Sequence, residues 1–266
     1  MRKITINLAA VAAFCIVVAS PALVSSSCAT PKTEQEDTTI IREDSGITAL
    51  KYSSPEVPTS IEFCGKTIDL SRFDRHERMD RELLAFTYMH STSLQMLKKA
   101  NRYFPIVEPI LKENGIPDDF KYLMVIESNM NPTARSSAGA AGLWQFMQGT
   151  GRDYGLEVNN NVDERYHIEK ATRAACRYLK DAYAKYKDWV AVAASYNAGQ
   201  ARIASQLAKQ DVDDSLDLQL VEETARYVYR ILAAKQLFSA PTTFGFRLRA
   251  SDLYPPIPYT EVTVTK

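Results

Sequence analysis

Glu127 is placed where a carboxyl group is expected to stay protonated near neutral pH. It continues the apolar stripe of Phe120, Leu123 and Met124 at helical spacing, so it is expected to face inward. It also lies near the predicted C-terminus of that helix, where a negative charge is disfavoured. Desolvation and the helix dipole both raise a carboxyl pKa, which suits a general acid that cleaves a glycosidic bond. A Glu held by a structural partner, or pointing outward at the helix end, is the alternative interpretation.

Small and hydroxyl-bearing residues follow Glu127 in the sequence. Ser128 supplies a hydroxyl next to the carboxyl, and Ser136 and Ser137 open a loop whose next residues, 138–142, are all Ala or Gly. Such a loop lets the backbone approach a ligand closely. These residues therefore favour a binding site beside Glu127.

The four residues from 144 to 147 combine flat apolar faces with one amide: Trp144, Gln145, Phe146 and Met147. Sugars stack on apolar surfaces, and amides bind hydroxyl and N-acetyl groups, so this combination is typical of a glycan site. The alternative is that Trp144 and Phe146 belong to the hydrophobic core.

Three tyrosines and an asparagine lie on later predicted helices. Tyr196 and Asn197 end a helix that starts near Trp189, and Tyr227 and Tyr229 lie in the last helix. Tyr196 could direct its hydroxyl to a buried carboxyl. Each tyrosine could equally be a core residue with a solvent-facing hydroxyl.

Other chemistries fit the sequence poorly. The three histidines, His76, His90 and His167, show no metal-ligand spacing with cysteines or carboxylates. The glycines between 139 and 155 match neither a phosphate loop nor a dinucleotide fingerprint, and no Gly-x-Ser-x-Gly elbow occurs. Lys plus Arg and Asp plus Glu both total 32, so the net charge is zero, which argues against nucleic acid. We expect no metal and no cofactor.

The N-terminus has the pattern of an export signal over residues 1–27. Arg2 and Lys3 precede an apolar run, 4–18, which is followed by small residues and a proline up to Ser27. The run is short for a membrane span, which needs about 20 residues. A signal that is retained as an anchor is the alternative.

The cysteines leave two questions open. Cys28 follows the signal where a lipoprotein carries its acylated cysteine, but Ser25 stands where a lipobox usually has Leu. Lipidation at Cys28 and simple cleavage nearby are therefore both compatible with the sequence. Export permits a disulfide between Cys64 and Cys176, whereas Cys176 also fits a helix core.

The pattern along the chain predicts an all-α catalytic domain. We expect one long helix over 79–103 that continues to about 111, a helix ending near 129, and a glycine-containing loop over 132–162. Later helices are expected over 168–186, from 189 to 197 with Asp188 as cap, and over 220–238. The predicted organisation is a signal peptide (1–27), a polar linker (28–62), an N-terminal helical extension (63–103), a catalytic domain (104–238) and a C-terminal tail (239–266), which ends as an edge strand or disordered.

Four ordered motifs resemble family 1 lytic transglycosylases, whose catalytic part is the SLT domain. They are IESNMNP at 126–132, SSAGAAGLWQFM at 136–147, SYNAG at 195–199 and ETARYV at 223–228. The Trp before Gln145 and the stretch VDERY at 162–166 are most similar to the D subgroup of the membrane-bound murein enzymes. One motif alone is weak, but four in order at compatible separations are specific.

The resemblance implies a goose-lysozyme-like helical fold and a function. Glu127 would protonate the glycosidic oxygen of peptidoglycan and then accept the proton of the muramic 6-hydroxyl, leaving a 1,6-anhydromuramic end. It further implies supporting roles at the matching positions: contact with sugar or steering of the carboxyl by Ser128, Ser136, Gln145 and Met147, a hydrogen bond near Glu127 from Tyr196, substrate holding by Asn197, and lining of the site by Tyr227.

Two other functions remain compatible with the sequence. A hydrolytic goose-type lysozyme would need a second carboxylate, for which Asp153, Glu157, Asp163 and Glu164 are candidates. A non-catalytic peptidoglycan-binding protein could use the same fold. Fewer than about 30 residues follow the last predicted helix, too few for the LysM modules common in the subgroup. We expect a monomer that acts on glycan strands in the periplasm or cell envelope, with a membrane contact through the Cys28 anchor.

Overall fold

The described part of the chain, residues 53–258 of a computed structural model, is mainly helical, which confirms the predicted fold class. Within this range the elements are two strands, β1 (Ser60–Phe63) and β2 (Lys66–Asp69), and eight helices, α1 (Phe73–Tyr88), α2 (His90–Glu113), α3 (Phe120–Ser128), α4 (Gln148–Asp153), α5 (Ile168–Tyr186), α6 (Trp189–Ala198), α7 (Gln200–Lys209) and α8 (Glu222–Ser239). Helix α8 packs against α1, α3 and α6, so it lies at the centre of the bundle.

An antiparallel hairpin precedes the helices, and the sequence did not predict it. Strand β1 pairs with β2 so that Ile61 faces Ile68, and the turn residues Cys64 and Gly65 have φ of 53° and 80°. Positive φ at both positions is the mark of a type I′ hairpin turn. The prediction of a linker up to 62 and helices from 63 is therefore wrong at this boundary. The alternation is too short to stand out from the polar sequence around it.

The single helix predicted over 79–103 is wrong as well, because the chain breaks between α1 and α2. Met89 has ψ of 49°, outside the helical region. The hydroxyl of Ser93 donates to the carbonyl oxygen of Phe86 at 2.5 Å across the break. Side-chain hydrogen bonds of this kind compete with the helical ladder, and apolar spacing does not reveal them.

Helix α3 ends as predicted, and its apolar stripe is fully buried. Phe120, Leu123 and Met124 each have 0% exposure. The chain leaves the helix at Asn129 and Met130, which have φ of 49° and 59°. A left-handed residue after a helix is a common terminus, and Asn adopts it readily. Glu127 thus lies in the last turn of a short, buried helix.

The later helices agree closely with the sequence, with three exceptions. Helix α5 has the predicted bounds, and the carboxylate of Asp188 caps α6 by accepting from the amide of Val190 at 2.9 Å. Helix α4 lies inside the predicted loop, α7 was not predicted, and α8 begins two residues later than expected. The described part of the tail forms 3₁₀ turns at Pro241–Phe244 and Ala250–Asp252. Its Thr/Val end lies outside the described residues.

Cys64 and Cys176 are both free thiols. Cys176 is fully buried on α5, as its core interpretation predicts, and burial raises the pKa of its thiol to about 11. The predicted signal peptide and Cys28 lie outside the described residues. Among residues 53–258, we find no helix whose length and apolar character would suit a membrane crossing.

Candidate active site

The carboxyl group of Glu127 faces helix α8. The buried side chain of Tyr227 donates its hydroxyl hydrogen to Oε1 of Glu127 in a short hydrogen bond. This contact exists because α3 packs against α8, which brings the end of one helix beside the middle of the other. Glu127 is therefore partly buried and has a defined partner.

Burial raises the pKa of Glu127 from its ordinary value of 4.5 to about 7. Desolvation of the charged form is the main cause. The hydrogen bond from Tyr227 and the positive charge of Arg230 lower the pKa, and the negative charge of Glu223 raises it. Since the resulting pKa lies near neutrality, the side chain can both give and take a proton under physiological conditions.

Tyr196 forms a hydrogen bond near Glu127, but its partner is not the Glu127 carboxyl. Its hydroxyl donates to the carbonyl oxygen of Trp144 at 2.8 Å. The tyrosine bonded to Glu127 is Tyr227. Tyr196 nevertheless belongs to the same region, because desolvation and the charge of Glu127 raise the pKa of its hydroxyl well above the usual value.

The buried guanidinium of Arg165 anchors the loop of residues 136–147. Its Nη1 donates to the carbonyl oxygens of Gly139 at 2.8 Å and Phe146 at 2.9 Å, while Asp163 pairs with Nη2 at 2.7 Å. Gly142 lies against the same residue: a Cβ there would be 1.9 Å from the carbonyl oxygen of Arg165. Gly142 thus permits close backbone packing against Arg165.

Gln145 and Ser136 are engaged with the backbone of their own loop. The amide nitrogen of Gln145 donates to the carbonyl oxygen of Gly142 at 2.8 Å, and the residue has a φ of 49°. The hydroxyl oxygen of Ser136, an exposed residue, accepts from the amide of Ala140 at 3.0 Å. Both side chains stabilise the loop in this state.

The two remaining candidates near the loop differ in exposure. Met147 is 45% exposed at the start of α4, so its thioether is open to a ligand. Ser128 is buried, and its hydroxyl donates back to the carbonyl oxygen of Met124 at 3.3 Å. The hydroxyl that the sequence placed beside the Glu127 carboxyl is therefore used within α3.

Trp144 and Phe146 are core residues, as the alternative interpretation predicts. Trp144 is fully buried and donates its indole N–H to the hydroxyl of Thr172 at 2.9 Å, and Phe146 is 3% exposed. Neither ring presents a face to a sugar. The loop is anchored by these aromatic side chains.

Asn197 connects α6 to α8. Its Oδ1 accepts from the hydroxyl of the buried Thr224 at 2.8 Å. Because Thr224 lies one turn before Tyr227, this bond joins the SYNAG segment to the helix that contacts Glu127.

The structure adds Glu223 and Arg230 to the groups around Glu127. The sequence analysis did not predict that their charges act on this carboxyl. They lie four residues before and three residues after Tyr227, which places them along one side of α8. Their helical spacing from Tyr227 is the sequence signal that could have indicated both residues. Two carboxylates considered from the sequence have other partners: Asp163 pairs with Arg165, and Glu164 with Lys170.

No group of three or more His, Cys, Asp or Glu in residues 53–258 is arranged to hold a metal ion.

Comparison with known proteins finds similarity to lytic transglycosylases in this region. Residues 105–217 match the family model described as transglycosylase SLT domain. Membrane-bound lytic murein transglycosylase D of Escherichia coli is 30% identical over 181 residues, which cover 66% of this chain and 39% of that relative. Membrane-bound lytic murein transglycosylase C of Haemophilus ducreyi is 29% identical over 150 residues, covering 51% and 40%.

Among solved structures, an inactive mutant of lytic transglycosylase Slt from Pseudomonas aeruginosa aligns with a TM-score of 0.45 and 21% identity, covering 53% of this chain and 24% of that chain. The chain spans only about two fifths of the length of its curated relatives, 39% and 40% for the D and C enzymes.

The raised pKa of Glu127 predicts that the folded protein loses stability as the pH rises and this carboxyl ionises. In the folded protein the pKa is about 7 against an ordinary 4.5, so the stabilisation of the protonated form is complete below pH 4.5 and is lost as the pH rises through 7. We expect Glu127→Gln to match the wild type in free energy of unfolding near pH 4 and to exceed it by about 2–3 kcal/mol at pH 8. Urea denaturation at both pH values measures this, with the exposed Glu56→Gln as control. A constant difference across the range would contradict it.

Proposed function

We propose that the protein is a peptidoglycan lytic transglycosylase with Glu127 as its acid and base, because residues 105–217 match the model of the transglycosylase SLT domain family. The observation that carries the proposal is the partly buried Glu127 carboxyl, hydrogen-bonded by Tyr227, with a pKa of about 7. A carboxyl group of this kind can act in both halves of a reaction at neutral pH.

The reaction needs one carboxyl group and no water. Protonated Glu127 gives its proton to the oxygen that links the muramic C1 to the next sugar, and the C1–O bond breaks. The resulting carboxylate accepts the proton of the muramic 6-hydroxyl as that oxygen bonds to C1. The ring closes as a 1,6-anhydro product, and Glu127 is protonated again. Tyr227 stabilises the intermediate carboxylate because its hydroxyl donates to Oε1.

Hydrolysis by a second carboxylate has weaker support. Asp163 and Glu164 are paired with Arg165 and Lys170, and Glu157 accepts from Asn159 at 2.7 Å. Glu223 is the carboxylate whose charge acts on Glu127, so it is the residue to test if the products are reducing sugars.

The two relatives named lytic murein transglycosylases support glycan strands as the substrate. We propose that a glycan strand lies over the 136–147 loop. Met147 would be its exposed contact, and Ser136 and Gln145 would contact it from the same loop. Asn197, fixed to Thr224, would hold the strand from the α8 side. The membrane-bound names of two relatives support a place in the cell envelope for this protein, which we propose to be exported and to act as a monomer.

Mass spectrometry of released muropeptides tests the reaction. Digestion of purified peptidoglycan by the wild type should yield 1,6-anhydromuramic ends, about one water lighter than reducing ends. Glu127→Gln should lower the rate by about 10²–10⁴-fold, the usual contribution of acid and base catalysis.

Reducing ends would assign hydrolysis and direct attention to Glu223, whereas release that persists in Glu127→Gln would overturn the role of that residue. If the wild type binds peptidoglycan and yields no product, the binding-protein alternative is the correct one.

A matched pair of tyrosine variants tests the supporting contacts. Tyr227→Phe removes the hydrogen bond that lowers the pKa of Glu127, so the alkaline limb of kcat/KM should move up by about one pH unit. Tyr196→Phe removes a bond to the Trp144 carbonyl, so it should cost about 1 kcal/mol of stability and leave the limb in place. If the alkaline limb shifts in Tyr196→Phe and not in Tyr227→Phe, Tyr196 is the tyrosine that acts on Glu127 and the two assignments are reversed.

We propose Cys28 as the lipidated residue of the mature protein. The export signal predicted just before it supports this position, although Ser25 stands where a lipobox usually has Leu. Mass spectrometry of the membrane-extracted protein should find a diacylglyceryl group on an N-terminal Cys28, and Cys28→Ala should move the protein to the soluble envelope fraction. An unmodified N-terminus at another residue would contradict the anchor.

A further inference from the structure

Glu82 lies on α1, and its buried carboxylate faces helix α8. Its side chain is only 2% exposed. Arg226 donates to Oε1 at 2.6 Å, Arg81 lies 3.4 Å from the same atom, and Nε of Arg230 lies 3.5 Å from Oε2. A buried carboxylate remains ionised only with such compensation. The mechanism described above makes no use of this cluster.

Arg230 connects the buried cluster to the site. It is paired with Glu82, and its positive charge also lowers the pKa of Glu127. It lies three residues after Tyr227 on α8, on the side of the helix that carries the Glu127 contact. One guanidinium group thus acts on two carboxyl groups that lie on different helices.

We propose that Glu82 is a positioning residue for the active site and acts through Arg230, whose guanidinium it keeps from pairing directly with Glu127. The inference rests on the proposed function, because it assumes that Glu127 must stay protonated to work. A direct Arg–Glu pair would favour the ionised form of Glu127 and remove the general acid at neutral pH.

Both carboxyls have further charged or titratable neighbours. Tyr227 and Glu223 from α8 act on Glu127, whose charge in turn acts on the hydroxyl of Tyr196 from α6. Around Glu82 the further charges are Arg81 and Arg226, and Arg81 also pairs with Glu222 at 2.6 Å. Arg230 is the group that acts on both Glu82 and Glu127.

The test measures the pKa of Glu127 by ¹³C NMR with carboxyl-labelled glutamate, the resonance being assigned by its loss in Glu127→Gln. Glu82→Gln keeps the shape of the side chain and removes its charge, so Arg230 is free to turn toward Glu127. The pKa of Glu127 and the alkaline limb of kcat/KM should both fall by about 0.5–1 pH unit. Glu77→Gln, an equal charge change on the exposed face of α1, should move neither.

Arg230→Gln gives the opposite shift and remains informative if Glu82→Gln does not fold. Arg230 is partly exposed, and its removal should raise the pKa of Glu127. The double variant should titrate like Arg230→Gln alone, because Glu82 acts through that residue. A folded Arg230→Gln with an unchanged Glu127 titration overturns the inference, as does an unchanged titration in folded Glu82→Gln.

The NMR readout separates this inference from the proposed function. If the titration shifts as expected but the wild type releases no anhydro product, the coupling of Glu82 to Glu127 is supported and the transglycosylase assignment fails. If the wild type is active and Glu127 essential, but the titration is unmoved in both variants, the assignment stands and the role of Glu82 is overturned.

Discussion

The burial of one carboxyl group against helix α8 is the constraint on which the rest of the site depends. Glu127 has a pKa near neutrality because packing of α3 on α8 removes water from it. Full burial without a partner would keep the group neutral and make it a poor base. The hydroxyl of Tyr227 and the charge of Arg230 offset part of the desolvation, and the result is a carboxyl group with a pKa near neutrality.

The loop of residues 136–147 is the second feature of the site. Arg165 holds two loop carbonyls, Trp144 and Phe146 fill the core beneath them, and Gly142 permits a backbone approach that a Cβ would block. These contacts order the backbone before any ligand binds, which lowers the entropy lost on binding. Packing therefore accounts for Gly142, Trp144 and Phe146 in this loop.

Much of this arrangement could be predicted from the sequence, for identifiable physical reasons. The position of Glu127 in an apolar stripe and the bounds of α5 follow from local periodicity, which the structure preserves. The hairpin at 60–69 and the break at Met89 depend on a short pairing and on side-chain hydrogen bonds that periodicity does not encode. The choice of Tyr227 over Tyr196 as partner of Glu127 depends on the docking of α3 on α8, a tertiary contact.

The segment that matches the family model does not contain the whole site. The match ends at residue 217, whereas Tyr227 and Arg230 lie beyond it on α8, and Glu82 lies before it on α1. The loop and Glu127 alone would leave the carboxyl facing solvent on the side that α8 covers, and a solvated carboxyl has a pKa near its ordinary value. The helix that covers Glu127 thus lies beyond the matched segment, and the folded region around this carboxyl extends past residue 217.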